Sequence, residues 1–479
     1  TFSITFKPSK AQQETATVTI TSNDATNSPF VFTIIGEGTV PPPSGGGSTT
    51  PSTPSNPPTK QERLNISFGD NSSKEVIADV LDENNVRTTK IDLDEAQVPK
   101  KLDEMEKTQP DGEKKVIIPV NNHSDKVVGE MKASTLKKMA DMNAVLEIKT
   151  ENISYTLPAS AVNIDDILTK IGGSTELKDI TVKVEIVNTA DSKAGQIKAA
   201  AAKSGFELEA APVEFEITCT NSGREVTVSS FNSYVGRTVA IPDGVDPKKI
   251  TTGVVYNADG SFSHVPTAVT ILNGKYYAKI NSLTNSTYTL IYNPLTFDDV
   301  ENHWSKGYVN DAGSRLIVSG TGNGKFTPDR AVTRGEFAVM IVKALGLKGS
   351  QFADNFKDVG KDNPYYSYIY TAYQYGIIAG YSNTQFGSND MITREQAMTM
   401  ISKAMKIAGI DTAQSNTDGL NSTFTDSDTI SGWAKEGAAI CANSGLFVGS
   451  NGKLNPKNDI TRAESATVAI KLLKKAHLI

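Results

Sequence analysis

From Phe297 to the C-terminus the sequence repeats itself three times, and this repetition restricts the chain's folds more than any other feature. The copies run from Phe297-Asp298-Asp299-Val300 to Thr333-Arg334-Gly335-Glu336, from Phe356-Lys357-Asp358-Val359 to Thr393-Arg394-Glu395-Gln396, and from Phe424-Thr425-Asp426 to Thr461-Arg462-Ala463-Glu464. The opening Phe precedes the Thr by 36, 37 and 37 positions. Agreement of that kind marks one structural unit used three times. Each copy has the same internal order. An aromatic expected to start a helix (Trp304, Tyr365, Trp433) follows the Phe-x-Asp opening. A glycine turn comes next, then an apolar word (Phe326-Thr327-Pro328, Phe386-Gly387, Leu454-Asn455-Pro456). A strongly amphipathic helix ends the copy, with Phe337, Met340, Ile341 and Leu345 on one face in the first. The pattern predicts one short helix, one loop and one longer helix per copy.

The word Thr-x-x-Glu is a capping box, in which the threonine hydroxyl accepts from the N3 amide and the N3 carboxylate reaches back to the N-cap amide. Thr333 with Glu336 and Thr461 with Glu464 fit it, and Gln396 can serve Thr393. The arginine at N1 needs another reason, because a cation beside the positive end of a helix dipole is mildly unfavourable. Two readings stand. Arg334, Arg394 and Arg462 meet an anionic ligand together with the free helix amides, or they pair with the opening aspartates Asp299, Asp358 and Asp426. Trp304, Tyr365 and Trp433 stack on a sugar ring or pack in the core. Gly322, Gly380 and Gly449 let a ligand approach the backbone or make turns. Gly320 to Lys325 lacks the spacing of a nucleotide loop.

The Thr-Arg-Ala-Glu word is intact in copy three, has Gly335 for its alanine in copy one and reads Thr-Arg-Glu-Gln in copy two. With the order above, it resembles the S-layer homology repeat from Phe297 to the C-terminus. The resemblance implies a pseudo-threefold packing of three copies. It also implies binding of secondary cell-wall polysaccharide, linked to peptidoglycan, at a pyruvylated N-acetylmannosamine end in the grooves between copies. A secreted protein on the cell wall or S-layer surface follows. In copy two the aromatic stands further from the Asp, and Glu395 adds a negative charge beside Arg394, so the three grooves are not expected to be equal.

The remaining chain, to a total of 479 residues, is too long for one core. The expected fold class is multidomain: a truncated Ig-like β-sandwich (1–40), a Pro/Ser/Gly/Thr linker (41–59), an α+β spacer (60–210), a β-rich domain (211–294) and mainly helical repeats at 295–350, 351–415 and 416–479. Phe2, Ile4 and Phe6, then Val18 and Ile20, alternate as strands, and Phe30 to Ile35 forms a denser run. The words at 21–24, 28–29 and 36–39 resemble the closing strands of abnormal-spindle, SPD-2 and hydin type Ig-like domains, which implies that the polypeptide continues upstream. In the middle region Lys115 to Val120 and Val145 to Leu157 read as strands, while Ser134 to Met142 reads as a helix with a serine cap and Asn163 to Ile171 repeats that device. Beyond Phe206 the pattern is almost purely β, with hairpin turns at Asn257–Gly260 and Asn273-Gly274. A boundary is expected near Ala210.

A net charge of −6 gives no general attraction to nucleic acid or anionic lipid. No apolar run reaches the roughly 18 residues needed to span a bilayer. Cys219 and Cys441 fall in different predicted domains and are not expected to pair. The four histidines, His123, His264, His303 and His477, show no metal-ligand or nucleophile spacing. No cofactor, metal or catalytic group is expected, and the chain reads as a non-enzymatic surface protein. The alternative is the anchoring tail of an exported polysaccharide-degrading enzyme. An N1 arginine on the surface contributes little to stability, so Arg462→Ala is expected to weaken binding without unfolding the module.

Overall fold

The computed structural model describes residues 60–479 apart from 84–85, 95, 173–174, 350–353 and 413–416, with the backbone of 13–20 and 30–37. Contacts divide the chain into Thr1–Asn56 and Pro57–Ile479. In the first unit, Gln13–Ile20 and Phe30–Glu37 pair antiparallel, Gln13 opposite Glu37 and Ile20 opposite Phe30. The expected strand at Phe2 to Phe6 and the linker at 41–59 lie outside the described residues, as do most of the words that suggest an Ig-like domain.

In the second unit the described strands join into one mixed network of 17. It runs both ways from Lys115–Pro119. One arm passes through Lys60–Phe68, Ser73–Glu83, Val86–Asp92, Lys126–Lys132, Thr181–Asn188, Val213–Asn221, Thr287–Tyr292 and Thr252–Tyr256. The other passes through Val145–Lys149, Ile153–Pro158, Ser230–Ala240, Lys275–Thr284 and Thr267–Leu272. Only Val86–Asp92 with Lys126–Lys132 and Lys115–Pro119 with Val145–Lys149 pair in parallel among them. Parallel neighbours need crossovers, and the helices Val98–Thr108 and Ala133–Asp141 lie in those connections. The network continues across Ala210, because Val213–Asn221 pairs with Thr181–Asn188, and one core holds Ile118 and Val182 with Phe215 and Leu290.

Within that core Arg237 is fully buried. Its guanidinium lies 4.7 Å from the Tyr288 ring centre and 5.1 Å from that of Tyr155, and it donates to the Val235 and Thr284 carbonyls and to Asn285 Oδ1. No carboxylate pairs with it among the described residues. Ring faces and carbonyl dipoles replace the anion that a buried cation ordinarily needs.

One local expectation is corrected. The helix Ala133–Asp141 has Lys132 at its N-cap and no side-chain cap, so Ser134 stands inside the first turn. Strand Lys126–Lys132 runs straight into the helix, and the amides there are satisfied from outside: Lys132 N–H donates to Asp94 and Ala133 N–H to the Ile180 carbonyl. The helix Val98–Thr108 has no capping side chain, since Gln97 before it is left-handed and makes no side-chain cap, and Pro99 in its first turn marks the start instead. The Asn163 cap does form, its Oδ1 accepting from Asp166 N–H at 3.0 Å.

In the C-terminal region each copy has a short helix (Lys306–Ser314, Tyr366–Gln374, Lys435–Asn443) and a longer one (Arg334–Ala344, Arg394–Ile407, Arg462–Lys475). The long helix of copy one packs on the short helix of copy two, that of two on three, and that of three on one. This corrects the expected amphipathicity. Phe337, Met340, Ile341 and Leu345 are buried as read, but Gly335, Ala338 and Val342 are buried too, because each long helix lies between neighbours. The backbone closes the same circuit: Val332 N–H donates to Ile460 O, Ile460 N–H to Ile392 O and Ile392 N–H to Val332 O, at 3.0 to 3.1 Å. Leu283 of the β region joins the helical core, and Tyr234 Oη donates to the Leu345 carbonyl at 2.7 Å.

Candidate functional site

The candidate residues gather at the N-termini of the three long helices. Thr333 Oγ1 accepts from Glu336 N–H at 3.2 Å while Glu336 Oε2 accepts from Thr333 N–H at 2.9 Å. Thr461 and Glu464 repeat both bonds at the same distances, and Gln396 Oε1 accepts from Thr393 N–H at 3.3 Å. The Thr and Glu of the repeated word are thereby spent on the helix start.

The aspartates are spent within their own copies. Asp299 accepts from the amides of Phe326 and Thr327, Asp358 from those of Phe386 and Gly387, and Asp426 from those of Leu454 and Asn455, with closest distances of 2.7 to 2.9 Å. Each carboxylate folds the apolar word back onto the start of the copy. Burial raises the Asp299 carboxyl, but its two amide partners and Lys325 outweigh burial and hold it below the usual carboxylate range. None of these aspartates pairs with a signature arginine in the described residues.

The arginines are not on the surface. Arg334, Arg394 and Arg462 are 5, 9 and 6% exposed, which corrects the expectation of a surface N1 residue. Each reaches into the following copy. Arg334 donates Nε–H to Phe386 O and Nη2–H to Ala379 O, and Arg394 donates Nε–H to Leu454 O. Arg462 donates Nε–H to Phe326 O and Nη2–H to Ser319 O, both at 2.8 Å. The third polar edge differs. Nη1 of Arg394 is taken by Glu464, whereas Nη1 of Arg334 and of Arg462 makes none of these bonds.

Tyr365 of copy two stands at the start of the long helix of copy one. Its ring lies against Gly335, where a Cβ would stand 2.5 Å from Cδ2. Burial, and then Glu336, raise its hydroxyl pKa, while Arg330 and Arg462 oppose them. Arg330 donates to both oxygens of Glu336, and burial together with Arg330 works against the charge on Arg462. Glu336 favours the charge on both guanidiniums, and Asp299 adds a second carboxylate that favours the charge on Arg462. Arg330 was missed in the sequence because its partner, six residues on, looks like a capping residue only.

Copy two resolves its extra charge differently. Glu395 is buried and accepts from Ser431 N–H at 2.9 Å, Ser431 Oγ at 3.0 Å and Lys457 Nζ at 2.7 Å. The neutralising lysine sits 62 residues away, and no local pattern points to it.

Trp304 and Trp433 are 62 and 59% exposed, so they are not core residues, and Tyr365 is half-buried. At Gly380 a Cβ would meet the Ser382 and Gln385 carbonyls within 2.4 Å, and at Gly449 the Lys453 carbonyl. Protein atoms already fill those approaches. Gly322, left-handed with φ +104°, faces open space. Among the described residues no cluster of His, Cys, Asp or Glu is placed to hold a metal ion, and no helix is long and apolar enough to cross a membrane.

Residues 296–338, 355–398 and 423–466 match the S-layer homology domain. This chain carries three S-layer homology domains. They make it a cell-surface, cell-wall-associated protein. The chain is similar to an amylopullulanase of Thermoanaerobacterium thermosulfurigenes, 29% identical over 76% of this chain and 18% of that protein. It is similar to exoglucanase XynX of Acetivibrio thermocellus, 34% identical over 41% of this chain and 18% of that one. It also resembles the surface-layer 125 kDa protein of Lysinibacillus sphaericus, 35% identical over 34% of this chain and 14% of that one. The chain thus spans less than a fifth of these relatives. The expectation of a non-enzymatic protein is overturned by them, since the relative that aligns with most of the chain is an enzyme by name.

Proposed function

We propose that residues 295–479 hold an exported polysaccharide-degrading enzyme on the cell wall by binding secondary cell-wall polysaccharide at a pyruvylated amino-sugar end. The copies 295–350, 351–415 and 416–479 act as one pseudo-threefold body, with a groove at the start of each long helix. The observation that carries the reading is the start of the first long helix, where Arg330 is bonded to Glu336 and the ring of Tyr365 from the next copy lies against Gly335, together with the Nη1 edges of Arg334 and Arg462 that the carbonyls leave untaken. A ketal carboxylate arriving there meets cationic side chains near a helix N-terminus. Trp304 and Trp433 offer exposed ring faces on which a sugar can stack, as their exposure suggests.

The groove served by Arg394 is the weakest of the three for an anion, because Glu464 already holds its Nη1. Arg334 and Arg462 keep that edge for a ligand.

The test is co-sedimentation of the full chain with wall sacculi that carry the polymer, that have been stripped of it, and that have had the pyruvate ketals removed by mild acid. The reading expects binding to the first and at least tenfold less to the other two. Equal binding to stripped sacculi would overturn it.

A further inference from the structure

Between the β region and the first repeat lies a cleft of about 930 Å3, within the size range of ligand sites. Phe206, Phe262 and His264 line it on one side and Leu316, Lys343 and Leu347 on the other. None of the signature arginines, and neither tryptophan, borders it, although its lining includes Gly322 and also Ser319, whose carbonyl holds Arg462. The walls are fixed to one another: Asn293 Nδ2 donates to the Ser314 carbonyl at 2.7 Å, and Leu316 packs in the same apolar cluster as Phe206 and Phe262.

The charge of its lining is one-sided. Lys325, Lys343 and Lys348 face it, and no aspartate or glutamate does, in a chain whose acidic residues outnumber its basic ones by 54 to 48. None of the three lysines makes an ion pair among the described residues. Asp299 and Asp259 feel Lys325 and Lys348 at longer range, but neither lines the cleft. Lys343 is the most exacting case: it is half-buried, burial pushes its ammonium pKa down, and the Tyr368 ring at 5.7 Å is its aromatic neighbour. An unpaired cation out of water is costly unless an anion joins it.

His264 in the same wall is 4% exposed, and its Nδ1 shares a hydrogen bond with Thr252 Oγ1 at 2.9 Å. Burial, with Arg315 nearby, holds its pKa at about 3 against the hydrogen bond with the Ala344 carbonyl, so the ring is neutral and adds no charge to the lining.

We propose that this cleft is a second glycan site, which takes an anionic saccharide. Its carboxylate or phosphate meets Lys343 and Lys348, its hydroxyls bond to polar groups of the lining, and its apolar ring face lies along Phe262 and Leu316. Naming a saccharide rather than another anion rests on the wall-anchoring reading. The site lets the β region share the load with the repeats.

The experiment uses the full chain in calorimetric titrations with tetragalacturonate, with an oligomer of glycerol phosphate, and with neutral maltotetraose. At least one anionic oligomer is expected to bind tenfold or more tightly than maltotetraose, and which one does so separates a carboxylated from a phosphorylated source. Lys343→Gln/Lys348→Gln should lose at least tenfold in affinity. Lys348→Glu, at an exposed position with no folding risk, should lose as much. Sedimentation of the same proteins with sacculi is read in parallel, because failure of the wild type there sinks the groove reading and leaves the cleft titrations to stand on their own. No binding of either anion, equal binding of the neutral oligomer, or unchanged affinity in Lys348→Glu overturns the proposal.

Discussion

Arg462 donates its Nε–H to the carbonyl of Phe326 at 2.8 Å, across 136 residues, and so bonds the last copy of the module to the first. Arg334 with Phe386 and Arg394 with Leu454 make the same contact at the other two junctions. The residue that distinguishes the repeated word is therefore built into the body of the module before any ligand arrives.

Arg462→Ala is accordingly expected to destabilise the C-terminal region. It leaves the buried Phe326 carbonyl and the Ser319 carbonyl without that donor, and each orphaned group costs about 1 to 3 kcal/mol. Urea unfolding of the full chain, followed by the tryptophan fluorescence that Trp304 and Trp433 alone provide, should show a clearly lower midpoint. An unchanged midpoint would mean that the side chain is held for its ligand alone.

Trp304→Ala and Trp433→Ala should behave in the opposite way. Both rings are mostly exposed, and surface substitutions usually move stability by no more than about 0.5 kcal/mol. Loss of a stacking face from a binding surface costs about 1 to 2 kcal/mol, or roughly five- to thirtyfold in affinity. Co-sedimentation with sacculi at graded protein concentrations measures this, and full retention of wall binding by both variants would remove the tryptophans from the site.

Acid should loosen the module. The carboxyls of Asp299 and Glu336 are held below the usual range in the fold, the amides of Phe326 and Thr327 outweighing burial for the first and Arg330 with the Thr333 amide for the second. The unfolded chain therefore takes up these protons first, and the stability they confer is fully present above the ordinary carboxylate pKa of about 4 and is lost as pH falls through the folded values. Unfolding midpoints between pH 7 and 3 should fall below about pH 4, and Asp299→Asn should flatten that fall.

Two glycines should respond with opposite signs. At Gly380 an added methyl meets two carbonyl oxygens within 2.4 Å and the Phe356 ring at 2.7 Å, so Gly380→Ala is expected to cost about 1 to 3 kcal/mol through backbone displacement. Gly307 lies in the helix Lys306–Ser314 with nothing within 4 Å of a new Cβ, and Gly307→Ala should stabilise by about 0.4 to 1 kcal/mol. Thermal unfolding of the two single variants decides both signs, and equal shifts would contradict the packing at Gly380.

Much of the fold was legible because it rests on short-range bonds. The number of copies, the short and long helix in each, the capping boxes at Thr333 and Thr461 and the Asn163 cap all follow from residues within a turn of one another. The helix Val98–Thr108 was less legible, since a left-handed Gln97 stands where a capping side chain is usual and Pro99 in the first turn is its start signal. Ser134 misled for the converse reason: strand Lys126–Lys132 runs straight into the helix, so the N-cap falls at Lys132 and the serine stands inside the first turn.

The site divides along the same line. The amino-acid sequence alone determined that the Thr and Glu of the repeated word start a helix, because a capping box closes within four residues. It also determined that an arginine follows them without a helical reason. Where that arginine goes was decided by the tertiary structure, since the carbonyls that hold Arg334 and Arg462 lie 45 to 143 residues away. The same holds for Asp299, whose partners are amides 27 and 28 residues on, and for Trp304 and Trp433, whose exposure depends on how neighbouring elements close around them. Local bonding fixes the elements. Burial, and with it the choice between holding the fold and meeting a ligand, is a property of the assembled copies.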